Sequence, residues 1–499
     1  MFKDYCENKD IMWMLNPPAY RKILPKNTFK VYCEIRDAIA LGEKIYVHPD
    51  PDIDGFLSAK CWDYTFKKLG YFNYSIGMLT ERKHHVKYST ILRQIEMGVK
   101  TIIIVDSSTN DIENLIKRVC QHDVRLIIID HHNTNNTFDM YPDNCTIINP
   151  KMESDTLPMY WVSAGVVNCL VCDYILYRNG YEDNPQLELF GYITMYSDIC
   201  PVKNPYIAAF LRSKLHYRGE LPAFLEVFWD QYSAITKKFI TFKVCPLINA
   251  AIRLGQFDVV HKLFFELDTC SSAVKKELFD KFKSCKALSN KIVEELNSLI
   301  EIEESPVAII GILPNDLESY KYNFLGFVAS QLANKYDRPS LCVYLDVNTD
   351  NYIGSARDSK NRDLLSEVSG FIEDAEGHDS AFGVTIDRRR ISQVMGILSQ
   401  ANLEDKDTEI VFDYMTLSTD REIHHMAVYN ELAIGDTPRV YVKIPITSDF
   451  NITGSTEKLV AKTKSLSVVS FGAPLIRGNT VICEPQYNGV NVECVVKKD

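Results

Sequence analysis

The chain has 499 residues, 46% apolar and 24% charged, an ordinary globular balance that argues against wholesale disorder and allows two or three domains with full cores. Its formal net charge of −11 counts against a general nucleic-acid coat, so any surface for a polyanion must be local. The opening MFKDYCENKD is charged and has no apolar export segment, and no run reaches the roughly 18 apolar residues of a membrane span. The 14 cysteines are therefore expected as thiols of a cytoplasmic chain rather than as a disulfide framework.

In chain order, EKIYV reads as a buried strand, GFLSAKCWDYTFKKLG as an amphipathic helix and FNYSIGML as a second strand. TIIIV and LIII end just before Asp106 and Asp130 and are continuous β-branched runs, the kind buried on both faces of a parallel sheet. STILRQIEMG and DIENLIKRVCQHD are helical, and the alternation predicts an α/β fold with a doubly wound parallel sheet. The one CxxC, Cys169 to Cys172, lies in the apolar AGVVNCLVCDYIL and reads as core. From about 211 to 300 the pattern is helical, with Leu278, Phe282, Cys285, Leu288, Ile292, Leu296 and Leu299 on one stripe of a long helix. VAIIGIL, FLGFVASQLANKY and SLCVYLD then predict a second, smaller α/β domain. VYVKIPI, KSLSVVSF, TVICEP and VNVECVV predict a β-rich, barrel-like C-terminal domain. The expected division is 1–265, a linking helix at 266–304, 305–402 and 403–499.

Open parallel sheets bind ligands beyond the carboxyl ends of their strands. Acids and imidazoles occupy that place here: His48, Asp50, Asp52 and Asp54 after EKIYV, Asp106 after TIIIV, and Asp130, His131 and His132 after LIII. Asp198 in GYITMYSDICP adds another carboxylate. Packed carboxylates repel one another unless their charge is offset. Hard divalent ions prefer such oxygens, and manganese also accepts imidazole. A two-metal site takes about six or seven such groups, one of them shared. An Asp-rich loop can also be a solvated turn or a helix N-cap, and Asp54 before Gly55 fits that description. Placement at three strand ends favours two divalent ions, manganese before magnesium.

IDHHNT, Ile129 to Thr134, resembles the signature of the DHH phosphoesterases and, within them, the RecJ-like single-strand nucleases. DPDIDGFLS, Asp50 to Ser58, is similar to their first motif, D-x-D-x-D-G-x-x-S. VDSS holds the second-motif Asp106, with Ser-Ser where relatives have Cys-Gly, and SDICP resembles the fourth motif. INP, Ile148 to Pro150, and SAGVV, Ser163 to Val167, resemble the segments between motifs three and four. In the second half GFVASQLANKYDRP, GSARDS and GHDSAFG resemble a DHH-associated domain, with Glu376 where the family has glycine. The resemblance runs in order over residues 44 to 390. It implies that Asp52 and Asp106 hold one metal and that Asp54, Asp106, His131 and Asp198 hold the other. Asp106, Asp130, His131 and His132 form the implied catalytic group, with His132 on the scissile phosphate. His48 stands where the pyrophosphatase and short-oligonucleotide branches place the first ligand, and Asp50 where RecJ relatives do. Either completes the first site.

For substrate, Ser355 and Arg357 in GSAR are expected on a loop after a strand, with the guanidinium forking onto a phosphate. Gly377 beside His378 would let backbone N–H groups approach a terminal phosphate. Arg82 in TERKHH would lie on the crevice rim beside His84 and His85. Arg388 to Arg390 and Lys458, Lys462 and Lys464 read either as a track for a single strand or as a solvated face. The resulting expectation is a monomeric exonuclease hydrolysing single-stranded DNA to mononucleotides, a two-metal bridging hydroxide attacking in line. A single-strand-binding or repair protein is a candidate partner and a membrane is not. The alternatives are a DHH phosphodiesterase of short oligoribonucleotides or cyclic dinucleotides, which His48 favours, and a catalytically silent DHH scaffold.

Overall fold

Thr101 to Val105 are apolar or β-branched throughout and cannot leave either face in water. In the computed structural model they are buried in the middle strand of a five-stranded sheet. The structure describes the chain apart from residues 1, 85, 216, 218, 230–233, 306–307, 361, 379, 401–408, 418–419, 436, 456, 464–465, 488–490 and 498–499. Its strands are β1 (Lys44–His48), β2 (Tyr74–Ile76), β3 (Val99–Val105), β4 (Arg125–Ile129) and β5 (Cys145–Ile148). All pair in parallel in the order β2-β1-β3-β4-β5. One face packs on Tyr88–Glu96 and Ile112–Val119, burying Ile91, Leu115 and Ile116 against Ile102, Ile104 and Ile128. The helices Ile53–Lys68 and Ala164–Arg178 also contact the sheet, so it is doubly wound as predicted. The order reverses between β1 and β3, the switch point where such sheets open a crevice.

The chain divides into two compact units. The first is Met1–Pro246, His261–Lys275 and Glu409–Asp499, and the second is Leu247–Val260 and Lys276–Thr408. The second holds β6 (Glu301–Glu304), β7 (Ile309–Leu313), β8 (Ser340–Asp346), β9 (Asn351–Arg357), β10 (Asp374–His378) and β11 (Ala381–Asp387). Their order is β10-β11-β9-β8-β7-β6, parallel only at β7–β8. Leu325–Tyr336 packs on this sheet through Val328, Ala329 and Leu332. The long helix is Ser272–Leu299. Leu278, Phe282, Ile292 and Leu296 of its stripe are buried, whereas Leu288 and Leu299 are exposed.

The C-terminal β-rich segment is one sheet of β12 (Glu409–Asp413), β13 (Arg439–Pro445), β14 (Asn451–Gly454), β15 (Leu459–Lys462), β16 (Ser467–Ser470), β17 (Thr480–Tyr487) and β18 (Val492–Val496). Its order is β12-β13-β17-β18-β16-β15-β14, with β12 and β14 as edges among the described residues. Asn430 pins the helix Asp420–Leu432 to this sheet: its Nδ2 donates to Val440 O and Pro485 O, and its Oδ1 accepts from Val440 N. Cys169 and Cys172 are buried on Ala164–Arg178, as the core reading expects.

Candidate metal centre

Strand register builds the site. Val105, Ile129 and Ile148 lie in one cross-sheet row, so Asp106, Asp130 and Asn149 follow on one rim. Asp106 N and Asp130 N still donate to Ile129 O and Ile148 O, which fixes where each side chain departs. Asp106 leaves the strand with φ 65, a left-handed backbone rare outside glycine. Asp52 is the N-cap of Ile53–Lys68, its Oδ1 accepting from Gly55 N at 2.9 Å, so the capping role falls to Asp52 and not to Asp54. Asp54 points instead at the start of Ala164–Arg178, accepting from Ala164 N at 2.9 Å and Gly165 N at 2.7 Å. This approach needs glycine, because a Cβ on Gly165 would stand 2.8 Å from Asp54 Oδ1 and 2.4 Å from Thr194 Oγ1. The SAGVV segment is thus a receptor for a first-motif carboxylate.

His131 stands at the centre. Its Nδ1 lies 3.1 Å from Val162 O, which can only accept, so Nδ1 carries the proton and Nε2 the lone pair in the neutral ring. That Nε2 is 3.4 Å from Asp106 Oδ1, 3.5 Å from Asp198 Oδ2 and 3.9 Å from Asp54 Oδ2. Asp106 Oδ1 is buried without a hydrogen-bond partner among the described residues. Burial, and then the charges of Asp54, Asp52, Asp50 and Asp198, push the Asp106 carboxyl well above the usual carboxylate range. Burial and then Asp198 and Asp52 do the same to Asp54. Asp50, Asp52 and Asp106 also converge, each offering an oxygen within 4.8 Å of the others. An orphaned buried oxygen among carboxylates and imidazole is a donor set that suits hard divalent ions.

Of the two candidates for the first ligand, Asp50 lies in this group. His48 Nδ1 instead meets the Tyr46 hydroxyl at 2.9 Å, and burial lowers the ring to about 4. His84 Nδ1 bonds Asp50 Oδ2 at 2.6 Å, while burial lifts Asp50 to about 6 against its pull. Arg82 is half-buried and lies within electrostatic reach of Asp52 and Asp50. Asp130 accepts from Thr109 N, His131 N and His132 N, and its Oδ1 accepts a hydrogen bond from His132 Nδ1 at 2.7 Å. Burial opposes the charge on His132, but Asp130 outweighs it and raises the ring to about 10. Asn149 adds a bond from Nδ2 to His132 O.

Two groups carry signals that sequence reasoning did not use. Lys151 is held over the Tyr160 and Trp161 rings at 4.0 and 4.1 Å, on the segment that ends at Val162. Cys200 Sγ lies 3.1 Å from Asp198 Oδ2.

In the second unit, Arg357 is the last residue of β9 and not a loop residue, because β9 stays paired on both sides to its end. Its Nη1 donates to Ser355 Oγ at 2.7 Å and Ala356 O at 2.6 Å. Gly377 and His378 belong to strand β10. At Gly377, with φ 136, a Cβ would come within 2.5 Å of Ala381 O, so the hairpin itself requires glycine. Register still sets His378, Ala381 and Arg357 in one row. Arg388, Arg389 and Arg390 pair with Asp350, Asp387 and Glu373, as a solvated face does. Lys458 lies over Phe471 and Lys462 ends β15. His85, Asp379 and Lys464 lie outside the described residues.

The sequence model for the DHH family, N-terminal domain, matches residues 44–193. The single-stranded-DNA-specific exonuclease RecJ of Bacillus subtilis (strain 168) is 23% identical over 375 residues, 73% of this chain and 46% of that protein. The chain therefore spans about half the length of the curated relative it matches. RecJ from Thermus thermophilus, crystallised in complex with Mn2+, is similar with a TM-score of 0.72 and 17% identity over 99% of this chain and 74% of that one. An exonuclease RecJ bound to manganese is similar with a TM-score of 0.57 and 18% identity, over 77% and 96%. At such identities these structures share a fold with this chain.

Proposed function

We propose that residues 44–193, which match the DHH family N-terminal domain, form such a domain and that the chain is a metal-dependent phosphodiesterase acting as a RecJ-like exonuclease on single-stranded DNA. The carrying observation is His131 Nε2 within 3.4–3.9 Å of Asp54, Asp106 and Asp198, with Asp106 Oδ1 lacking a partner among the described residues. Solved structures of the same fold in complex with Mn2+ and Mg2+ support the choice of ions. Asp54, Asp106, His131 and Asp198 would hold one ion, and Asp50, Asp52 and Asp106 the other. When bound, two such ions neutralise phosphate charge and acidify water at neutral pH.

The chain's own groups do the rest. Asp54 is locked by two backbone N–H groups and His131 by the Val162 carbonyl, so neither moves as charge develops. Asp130 holds the His132 ring through Nδ1, leaving Nε2 to donate to a phosphate oxygen. Arg82 adds a cation beside Asp50 and Asp52, the local positive charge that an acidic chain needs. In the second unit Arg357, ordered by Ser355, would take a further phosphate. His48 would have favoured a phosphodiesterase of short oligonucleotides, but Asp50 is the candidate that joins Asp52 and Asp106 in one cluster, which supports the exonuclease reading instead.

The test is digestion of a long single strand labelled at either end, with manganese, beside a duplex, an RNA dinucleotide and a cyclic dinucleotide. Loss of the single strand to mononucleotides is expected, with the duplex spared. Asp106→Ala should reduce the rate by at least about a hundredfold, the scale of losing one charge-stabilising group. Cleavage of the short substrates alone would sink the exonuclease reading. No cleavage at all would sink the enzyme.

A further inference from the structure

Asp198 closes the helix Pro185–Ser197, and the chain then doubles back. Ile199 takes a left-handed φ of 54, and Cys200 N donates to Met195 O at 3.0 Å. The turn carries the Cys200 thiol under the Asp198 carboxylate, with Sγ 3.1 Å from Oδ2 and the residue 4% exposed. Ligand atoms of His131, Asp198 and Cys200 all lie within 4.8 Å of one another. The second observation is the unpartnered Asp106 Oδ1, on a residue 2% exposed and 3.4 Å from the same His131 Nε2. Magnesium selects oxygen, manganese accepts oxygen and imidazole, and neither favours sulfur. A mixed nitrogen, oxygen and sulfur set suits zinc and cadmium, which bind thiolate strongly and accept low coordination numbers.

We infer that Cys200 makes the His131–Asp198 corner a binding site for a thiophilic divalent ion of the zinc and cadmium class, in competition with a hard ion at the same ligands. Binding forms a sulfur–metal bond, and the thiol proton passes to solvent. Because His131 and Asp198 serve both ions, a thiophilic ion and manganese exclude each other there. Growth in zinc-rich conditions would then silence the centre without damaging the fold.

Cadmium chloride titrated into the full-length protein under reducing, anaerobic conditions provides the test. The readouts are the ultraviolet thiolate-to-cadmium charge-transfer absorbance and the electron paramagnetic resonance signal of free manganese. One equivalent of cadmium should develop the band and release one manganese ion. In Cys200→Ser the band should vanish and cadmium affinity should fall at least about tenfold, since even partners outside the coordination shell act on that scale. No band in the wild-type protein, or a band that survives in Cys200→Ser, overturns the inference. Should Cys200→Ser fail to fold, the wild-type protein decides alone. A band suppressed by excess manganese supports a shared site, and one indifferent to manganese places the thiolate elsewhere and refutes it. The outcome does not depend on whether DNA is the substrate.

Discussion

At the scale of single residues the centre is built against folding stability. Asp106 combines a left-handed φ of 65 with a buried oxygen that no described group satisfies, among three further carboxylates of the first motif. Asparagine has nearly the same shape, tolerates the left-handed region better than most residues and carries no charge. Asp106→Asn should therefore raise metal-free stability by about 0.5–2 kcal/mol. It should also abolish stabilisation by manganese, which in the wild-type protein amounts to about 2.7 kcal/mol at a hundredfold excess over the dissociation constant. Thermal unfolding with and without manganese chloride measures both. A variant less stable than wild type without metal would mean that the carboxylate is satisfied by something other than an ion.

At the scale of elements, two helices present the centre: Ala164–Arg178 offers N–H groups to Asp54, and Pro185–Ser197 ends at Asp198. Lys22 ties them together, its Nζ 2.7 Å from Asp173 Oδ2 and 3.1 Å from Glu188 Oε1, while Lys214 also pairs with Glu188. Burial pushes Glu188 up, but Lys214 and Lys22 prevail and leave it below its ordinary 4.5. A depressed carboxyl contributes fully above its unfolded value, and the contribution is lost as pH falls through the folded one. Lys22 is raised above 10.5 against the effect of its burial, so its share is complete below that value and lost as pH climbs through the folded one. Urea midpoints across the acid range should fall less steeply in Glu188→Gln than in wild type. Identical acid limbs would remove this network from the account.

The same scale shows what the residues disclosed. TIIIV and LIII read as strands because β-branched side chains favour the pleated sheet over the helix, and the acids behind them then share a rim. The run CTII of β5, four residues long, is too short to declare itself as a strand. GSAR reads as a loop through its glycine, whereas Gly354 admits the close approach of a neighbouring strand, a Cβ there standing 2.1 Å from Cys342 O. The stripe on Ser272–Leu299 told which side its apolar residues share, but not how far a partner covers them. Cys200 reaches Asp198 through a left-handed turn at Ile199, which no periodicity reveals.

At the scale of the whole molecule, the C-terminal β-rich segment belongs to the unit that carries the centre. The connection is direct. Tyr196 Oη donates to Glu431 O at 2.9 Å, Lys237 Nζ donates to Asn430 O and Ala433 O, and Phe2 stacks edge-on against Phe412 and Tyr429. Gly435, with φ 63, lies so close behind the Asp198 turn that a Cβ would come within 2.9 Å of Ile199 O. A wall more than two hundred residues further along the chain thus backs the turn that carries Asp198, a ligand in the proposed metal centre. Gly435→Val should cost about 1–3 kcal/mol of stability through crowding and backbone strain and should also weaken manganese binding. Gly478→Val separates these effects, because Gly478 has φ 91 and a Cβ there would meet nothing within 4 Å. It should lose stability by strain alone and keep its manganese affinity. Manganese titrations of both variants, made where each is fully folded, decide the matter. Equal affinities would mean that the C-terminal sheet holds the fold together without shaping the site.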